Sequence, residues 1–305
     1  MNWFNNLIAT ILPIVPRPIV KIFSKPYISG ATLDDAVHAV KDLNSQGMCA
    51  TLDLLGEEAN VKEDSLKALE TYKEILTAID REKLDANISV KPTHMGLKID
   101  TDFCYNNIKA LVELAKELNN FVRIDMEDSS CVDGTIEVFL RLRKDYGNVG
   151  TVFQAYLRRL LDDINTALPQ KPNLRLCKGA YYWEKRDIVF KEPEIVNCNF
   201  AYALEKLLSN DCYVGIATHD EKVVWQGLKL IDQLQLKPDQ YEFQMLLGVD
   251  PELRRIIVSQ GHKLRVYVPF GKEWFAYSVR RLKENPKMVN YILGNMFNRI
   301  TGRKQ

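Results

Sequence analysis

Short apolar runs of five to seven residues alternate with longer stretches in which apolar side chains recur every three or four positions. Runs of the first kind are typical of buried strands, and stretches of the second kind are typical of amphipathic helices. The predicted strands span residues 48–54, 87–91, 121–126, 149–154, 174–178, 213–218, 241–246 and 264–268. This alternation predicts a parallel sheet whose strands are connected by covering helices.

The helical period is clearest after the first predicted strand, at Leu66, Leu69, Tyr72, Ile75, Leu76 and Ile79. A further helix is predicted to begin at Thr32, because Asp35 stands three positions later, as in a capping box. We therefore expect N-terminal helices within residues 1–45 and a barrel over residues 46–305, together forming one domain.

The number of strands indicates how the sheet is arranged. Eight parallel strands can close into a barrel that leaves no unpaired edge. An open doubly wound sheet would carry a glycine-rich dinucleotide motif after its first strand, and the chain contains no GxGxxG. The sequence therefore predicts the α/β class with a (β/α)8 TIM-type barrel. Ligands bind at the carboxyl ends of the strands in such barrels, so the residues at those ends are the candidates for chemistry.

Charge and cysteine content exclude some classes of partner and site. The 41 basic and 40 acidic side chains give a net charge of +1, so no overall positive field attracts nucleic acid. The six cysteines form no CxxC motif and no close Cys/His pair, which argues against a zinc site and against a disulfide framework. This cysteine usage is consistent with a reducing cytoplasm.

The amino-terminal segment is apolar but interrupted. Prolines at positions 13, 16 and 18 break a run whose apolar members are Trp3, Phe4, Leu7, Ile8, Ile11, Leu12, Ile14 and Val15. About 20 uninterrupted apolar residues are needed to span a bilayer, so a transmembrane helix is not expected. Two alternatives remain open: a helix packed on the protein, and a segment that associates with a membrane surface.

Polar side chains stand at the ends of the predicted strands. They are Asp53, Lys91, Asp125, Gln154, Lys178, Thr218, His219, Gln244 and Tyr267. Polar residues also end strands that have no function, but their convergence on one rim of a barrel is typical of a ligand pocket. Lys91 has three interpretations: an exposed lysine, a carboxylate clamp or a Schiff-base amine. The strand phase separates Asp125 from its acidic neighbours, and an inward carboxylate there would hydrogen-bond an amine or orient a cation.

The densest group of candidates is the segment RLCKGAYYWE at residues 175–184. Gly179 would let the backbone approach a ligand, while Arg175 and Lys178 suit a phosphate or a developing anion. A strand-to-loop junction with a mixed surface explains the same composition. His219 is likewise either a hydrogen-bonded structural residue or part of the site.

Arginine doublets occur at positions 158–159, 254–255 and 280–281. The first two are predicted to lie on solvated helix faces. The third follows the last predicted strand, and on a helix Arg280 and Arg281 would neighbour Tyr277 and Glu284. A forked guanidinium pair beside a tyrosine suits a small carboxylate ligand.

Together these segments resemble the proline dehydrogenase family, specifically the compact bacterial enzymes that contain only the barrel. The matching stretches are RLCKGAY at 175–181, ATH at 217–219, FQMLLG at 243–248, VYVPFG at 266–271 and YSVRRLKEN at 277–285. With LLGE at 54–57, the resemblance covers roughly residues 30–300 and follows the family order. Two departures are Cys177, where valine is frequent, and Leu247, where many relatives have tyrosine.

The resemblance implies a distorted barrel that binds FAD non-covalently and oxidises L-proline to Δ1-pyrroline-5-carboxylate, with a membrane quinone as the next electron acceptor. It places the proline carboxylate between Lys91, Arg280 and Arg281, with Asp125, Tyr267 and Tyr277 around the substrate. It makes Asp125 and Arg175 the catalytic residues, with Arg175 beside the flavin N5. The residues that it implies as FAD contacts are Met126, Gln154, Arg175, Lys178, Gly179, Ala180, Thr218, His219 and Glu284.

Two rival functions remain for the same barrel. A Schiff-base lyase or aldolase would use Lys91 or Lys178 as its amine. A non-catalytic sensor would retain the pocket and bind flavin or proline without turnover. The related barrel reductases of folate metabolism also hold FAD, but their pattern lacks the paired arginines after the last strand.

Overall fold

The computed structural model describes residues 26–56, 58–181, 183–275 and 277–278. Its strands are β1 Cys49–Leu54, β2 Ala86–Val90, β3 Val122–Ile124, β4 Val149–Gln154, β5 Asn173–Cys177, β6 Tyr213–Ala217, β7 Tyr241–Leu246 and β8 Leu264–Phe270. Each strand pairs in parallel with the next, and β8 pairs with β1, which closes the sheet. The predicted (β/α)8 barrel is confirmed. The apolar amino-terminal segment, Arg280, Arg281 and Glu284 lie outside the described residues.

Helices cover the sheet between successive strands. They are α1 Leu33–Ser45, α2 Lys62–Arg81, α3 Thr101–Glu117, α4 Val132–Arg143, α5 Leu160–Ala167, α6 Pro193–Leu208, α7 Glu221–Gln233 and α8 Pro251–Ser259. The capping box predicted for α1 is confirmed, since Asp35 N donates to Thr32 Oγ1 and Thr32 N donates to the Asp35 carboxylate. Across the described stretches of chain, no helix has the length and apolar character needed to cross a membrane.

Two strands differ from their predicted bounds by more than one residue. β3 ends at Ile124 because its last partner on β4 is Thr151, although Asp125 N still donates to Val90 O at 2.9 Å. β8 continues to Phe270, because the end of β1 still pairs with it there. The other strand ends lie within one residue of those predicted, so that Lys91, Lys178 and Thr218 immediately follow their strands.

The apolar core lies between the sheet and the helices. Outward strand residues such as Leu52, Ile88 and Val214 are fully buried there with helix residues such as Tyr72 and Phe200. Burial of such side chains contributes about 1.5–3 kcal/mol each.

The interior of the barrel is polar. The buried side chains that alternate with the apolar ones along the strands include Thr51, Asp53, Asn87, Ser89, Arg123, Asp125, Arg175, Glu242, Gln244 and Arg265, and the half-buried Tyr267 lies among them. Bulky branched residues usually fill this space in TIM barrels. Because buried polar groups are costly when they lack hydrogen bonds, a polar interior must form a connected network.

The doublet at positions 254–255 corrects one prediction. Arg255 is exposed as expected, but Arg254 is buried. The reason is its position on α8, where it lies on the same side as the buried residues Leu253 and Ile257.

Candidate active site

A cavity of about 430 Å³ opens at the carboxyl ends of the strands. Parallel strands bring these ends to one rim, which is where the sequence placed its candidates. Every described residue that the resemblance assigns to proline or FAD lines this cavity: Lys91, Asp125, Met126, Gln154, Arg175, Lys178, Gly179, Ala180, Thr218, His219, Tyr267 and Tyr277. Asp53, which was also predicted at this rim, does not line the cavity.

Asp125 is the centre of a hydrogen-bond network at the floor of this cavity. Its Oδ1 accepts from Arg175 Nη1 at 2.7 Å and from Ser89 Oγ at 2.6 Å. Its Oδ2 accepts from the hydroxyl of Tyr267 at 2.8 Å. Burial, and then the nearby carboxylate of Asp125, raise the pKa of Tyr267 well above its ordinary value, so the phenol stays protonated and donates.

Arg175 is held from three sides. In addition to Asp125, its Nε donates to Gln244 Oε1 at 2.5 Å, and its Cζ lies 5.2 Å from the centroid of the Tyr267 ring. Only 7% of the residue is exposed. A guanidinium fixed in this way is a pre-organised cation, able to stabilise negative charge that develops on a ligand.

Lys91 forms an ion pair with Asp53 at the end of β1. The exposed fraction is 17% for the lysine side chain and 1% for the aspartate, so the interpretation of Lys91 as an exposed lysine is wrong. Burial raises the pKa of Asp53 and the Lys91 charge opposes that rise. A lysine held in an ion pair suits a carboxylate clamp better than a Schiff-base amine, which must be free to attack a carbonyl group.

Sequence reasoning missed Glu242 and Arg265, which support this site from below. Glu242 Oε1 accepts from Gln244 Nε2 at 2.6 Å and from Arg265 Nε at 2.8 Å. Although burial opposes ionisation, Arg265 holds the pKa of Glu242 down at about 2. The signal was present in β7 and β8, where Glu242 and Gln244, and Arg265 and Tyr267, stand two positions apart among apolar residues.

The wall near β4 and β5 suits a flavin. Gln154 Nε2 contacts the carbonyl oxygens of Met126 and Glu127 at 3.4 and 3.3 Å, whereas its buried Oε1 has no hydrogen-bond partner in the described part of the chain. Such an acceptor suits a ring N–H of a ligand. Gly179 has a φ of +108°, and a Cβ there would lie 2.3 Å from the ring of Tyr156. Only glycine lets the loop pass so closely.

The adjoining wall at the ends of β5 and β6 contains two further predicted residues with partners in the protein. Lys178 forms an ion pair with Asp220 at 2.6 Å. His219 Nε2 accepts from the backbone N–H of Leu246 at 3.2 Å, so His219 has the structural hydrogen bond that one interpretation proposed while it also lines the cavity.

Comparison with known proteins agrees with this geometry. A family model described as proline dehydrogenase matches residues 36–292. Proline dehydrogenase 1 of Bacillus subtilis (strain 168) is 34% identical over 273 residues, which cover 90% of both chains. Proline dehydrogenase of Deinococcus radiodurans is 29% identical over 299 residues, covering 94% of this chain and 96% of that protein. The crystal structure of proline utilization A from Bdellovibrio bacteriovorus shares the fold with a TM-score of 0.84 at 24% identity, covering 92% of this chain and 36% of that one.

Proposed function

The chain belongs to the proline dehydrogenase family and is an enzyme of proline oxidation, and from that premise we propose that it oxidises L-proline to Δ1-pyrroline-5-carboxylate with FAD as its bound electron acceptor. The observation that carries this proposal is the hydrogen-bonded cluster of Asp125, Arg175 and Tyr267 at the floor of the cavity, with the Lys91 ammonium beside it. The cluster offers a fixed cation and fixed hydrogen bonds at the rim where this fold does its chemistry.

The residues at the cavity wall suit FAD. The free Oε1 of Gln154 and the glycine-dependent loop at Gly179 are the two features that favour a planar ring system with N–H donors. The residues that would hold the cofactor are Met126, Gln154, Lys178, Gly179, Ala180, Thr218 and His219, with Glu284 from the sequence. When bound, FAD supplies an acceptor for the hydride that leaves C5 of proline.

The basic residues would hold the substrate carboxylate. Lys91 lines the cavity as an ammonium, and Arg280 and Arg281 are assigned to the same role from the sequence. A clamp of this kind holds the substrate in one orientation. The entropy lost in orienting two reactants is a large part of the activation barrier, and the clamp removes that part before the reaction begins. Tyr267 and Tyr277 would form the wall beside the proline ring.

The amine of proline must be neutral before it reacts. As the C5–H bond breaks, the lone pair on nitrogen forms the C5=N bond, so that lone pair cannot carry a proton. The charges of Lys91 and Arg175 are matched by Asp53 and Asp125, so the paired arginines at 280–281 would supply the net positive charge that favours the neutral amine. Arg175 would stabilise the charge that the flavin gains.

The proposal extends to the fate of the electrons and to location. A membrane quinone is the proposed next acceptor, and the proposed location is the cytoplasm with peripheral contact on the inner face of the cell membrane. The family resemblance supports the acceptor, and the apolar amino-terminal residues support the contact.

One experiment separates this function from its rivals. The purified protein is examined by visible spectroscopy, and L-proline is then added without oxygen. We expect a flavin band that bleaches. A colourless protein that borohydride traps with a carbonyl substrate would indicate a Schiff-base lyase, and a flavin band that proline leaves unchanged would indicate a binding protein.

A further inference from the structure

Arg175 and Gln244 are in contact although their strands are not neighbours. Arg175 lies on β5, Gln244 lies on β7, and β6 runs between them. In the register of the sheet Gly215 of β6 pairs with Arg175 on one side and with Glu242 on the other. A Cβ at position 215 would lie 2.3 Å from Nε2 of Gln244 and 2.7 Å from its Cδ. The missing side chain at Gly215 therefore gives the amide of Gln244 the room to cross β6.

Glu242 determines which way this amide faces. An ionised carboxylate only accepts hydrogen bonds, so the Nε2 of Gln244 must point towards it, at 2.6 Å. Glu242 is itself fixed by Arg265 Nε at 2.8 Å and by the hydroxyl of Tyr213 at 2.9 Å. Only the Oε1 of Gln244 is then left to accept from Arg175 Nε, at 2.5 Å.

We propose that Gln244 is a positioning residue for proline oxidation. It holds the guanidinium of Arg175 in the orientation in which Arg175 would stabilise the charge that the flavin gains. Gly215 makes the contact sterically feasible, and Glu242 sets its polarity. The inference rests on the proposed function, because that function places Arg175 beside FAD. It assigns a task to Gln244, which lines the cavity but otherwise has no role in the reaction.

Loss of this contact would leave Arg175 with a single strong anchor. Its Nη1 would still donate to Asp125, but the Nε would have no acceptor, and the guanidinium would turn about the remaining ion pair. Hydrogen bonds to charged groups contribute about 1.5–3 kcal/mol, which corresponds to a rate change of roughly 10- to 100-fold.

Two single variants test the inference by different routes. Gln244→Met removes the acceptor, whereas Gly215→Ala leaves every polar residue in place and displaces the Gln244 amide by steric contact. We expect each to slow the bleaching of bound flavin by saturating proline about tenfold or more, with a KM for proline within about twofold of the wild type. We also expect a lower flavin midpoint potential, by about 30 mV for each tenfold loss of preference for the two-electron reduced form.

The double variant and a matched glycine provide the controls. Gly215→Ala added to Gln244→Met should cause little further loss of rate, because Gln244→Met has already removed the acceptor of Arg175 Nε. Gly227→Ala lies on α7, where a Cβ would contact Ile216 at 3.2 Å on the outer side of the sheet, and it should leave rate and potential unchanged.

The outcomes separate this inference from the proposed function. Wild-type protein that proline does not bleach would overturn the function and the inference with it. Wild-type protein that bleaches, together with flavin-loaded variants of unchanged rate and potential, would overturn the inference alone. Variants with an unchanged flavin midpoint potential, whether their melting temperature or their rate of bleaching is lowered, would show that Gln244 has only a structural role. Either variant that folds decides the question, because the two act on the same contact by independent routes.

Discussion

The Nη1 of Arg175 lies 2.7 Å from Oδ1 of Asp125, although β4 separates their strands. Both side chains are largely buried, with exposed fractions of 9% and 12%. Breaking a buried ion pair leaves an uncompensated charge, at a cost of about 3–5 kcal/mol. The pair therefore links the stability of the barrel interior to the chemistry at its mouth. A substitution in the pair changes both stability and reaction rate, so matched variants are needed to separate these two effects.

Asp125→Asn should reduce the rate of flavin bleaching by proline about 100-fold. The variant keeps the shape of the side chain but removes the charge that orients Arg175, and its NH2 group faces a donor. The measurement is anaerobic rapid mixing with saturating proline. Asp163→Asn is the matched control, because Asp163 is also a buried aspartate paired with an arginine, Arg159, but lies on α5. Equal rates for the two variants would contradict a role for Asp125.

Lys91→Met should raise the KM for proline about 10- to 100-fold and also destabilise the fold by about 3 kcal/mol. The first effect comes from the lost carboxylate contact, and the second from the buried Asp53 left without its cation. In the double variant Lys91→Met/Asp53→Asn we expect stability to recover while proline affinity does not. Denaturant unfolding and steady-state kinetics measure the two effects. A double variant that regains wild-type KM would exclude Lys91 from the substrate site.

Arg281→Met should weaken proline binding about 10- to 100-fold and leave flavin binding intact. This expectation comes from the sequence position of the doublet after β8. Arg255→Met removes an exposed arginine from another doublet and should bind proline like the wild type. Unchanged proline affinity in Arg281→Met would show that the clamp assignment is wrong.

The pH dependence of stability should reveal the charge of Glu242. Its pKa is held at about 2 in the folded protein, against an ordinary value of 4.5. The lowered pKa therefore favours folding while the carboxyl group of the unfolded chain is ionised, and this advantage falls once the unfolded chain takes up a proton. This contribution is fully present above about pH 4.5, is lost as the pH falls towards 2, and is on the order of 3 kcal/mol. The difference in unfolding free energy between wild type and Glu242→Gln should therefore shrink over this range. A difference that does not change with pH would contradict the shift.

The barrel and the polar residues at its rim could be predicted from the sequence, because both depend on local patterns. The short apolar runs located the strands, and residues that end or follow them, such as Gln154, Lys91 and Lys178, line one cavity. Local patterns also predicted the cap at Thr32. β3 was predicted too long, since the end of a strand depends on where its neighbour stops pairing.

The contacts across the barrel were beyond local patterns. The alternation in β7 shows that Glu242 and Gln244 face one side, but the partner of each is set by strand register and closure. The role of Gly215 can be inferred only once it is known that β6 lies between Arg175 and Gln244. The burial of Arg254 was missed for a similar reason. The sequence of the doublet does not show which face of α8 packs on the barrel.

The most direct test is the anaerobic bleaching of bound flavin by proline in a single turnover, with ordinary L-proline compared with L-proline that carries deuterium at C5. We expect bleaching with both, slower with the deuterated substrate, and a product lighter than proline by two hydrogen atoms. No bleaching by proline, or bleaching at one rate for both substrates with proline recovered intact, would contradict hydride transfer from proline at the site of Asp125 and Arg175.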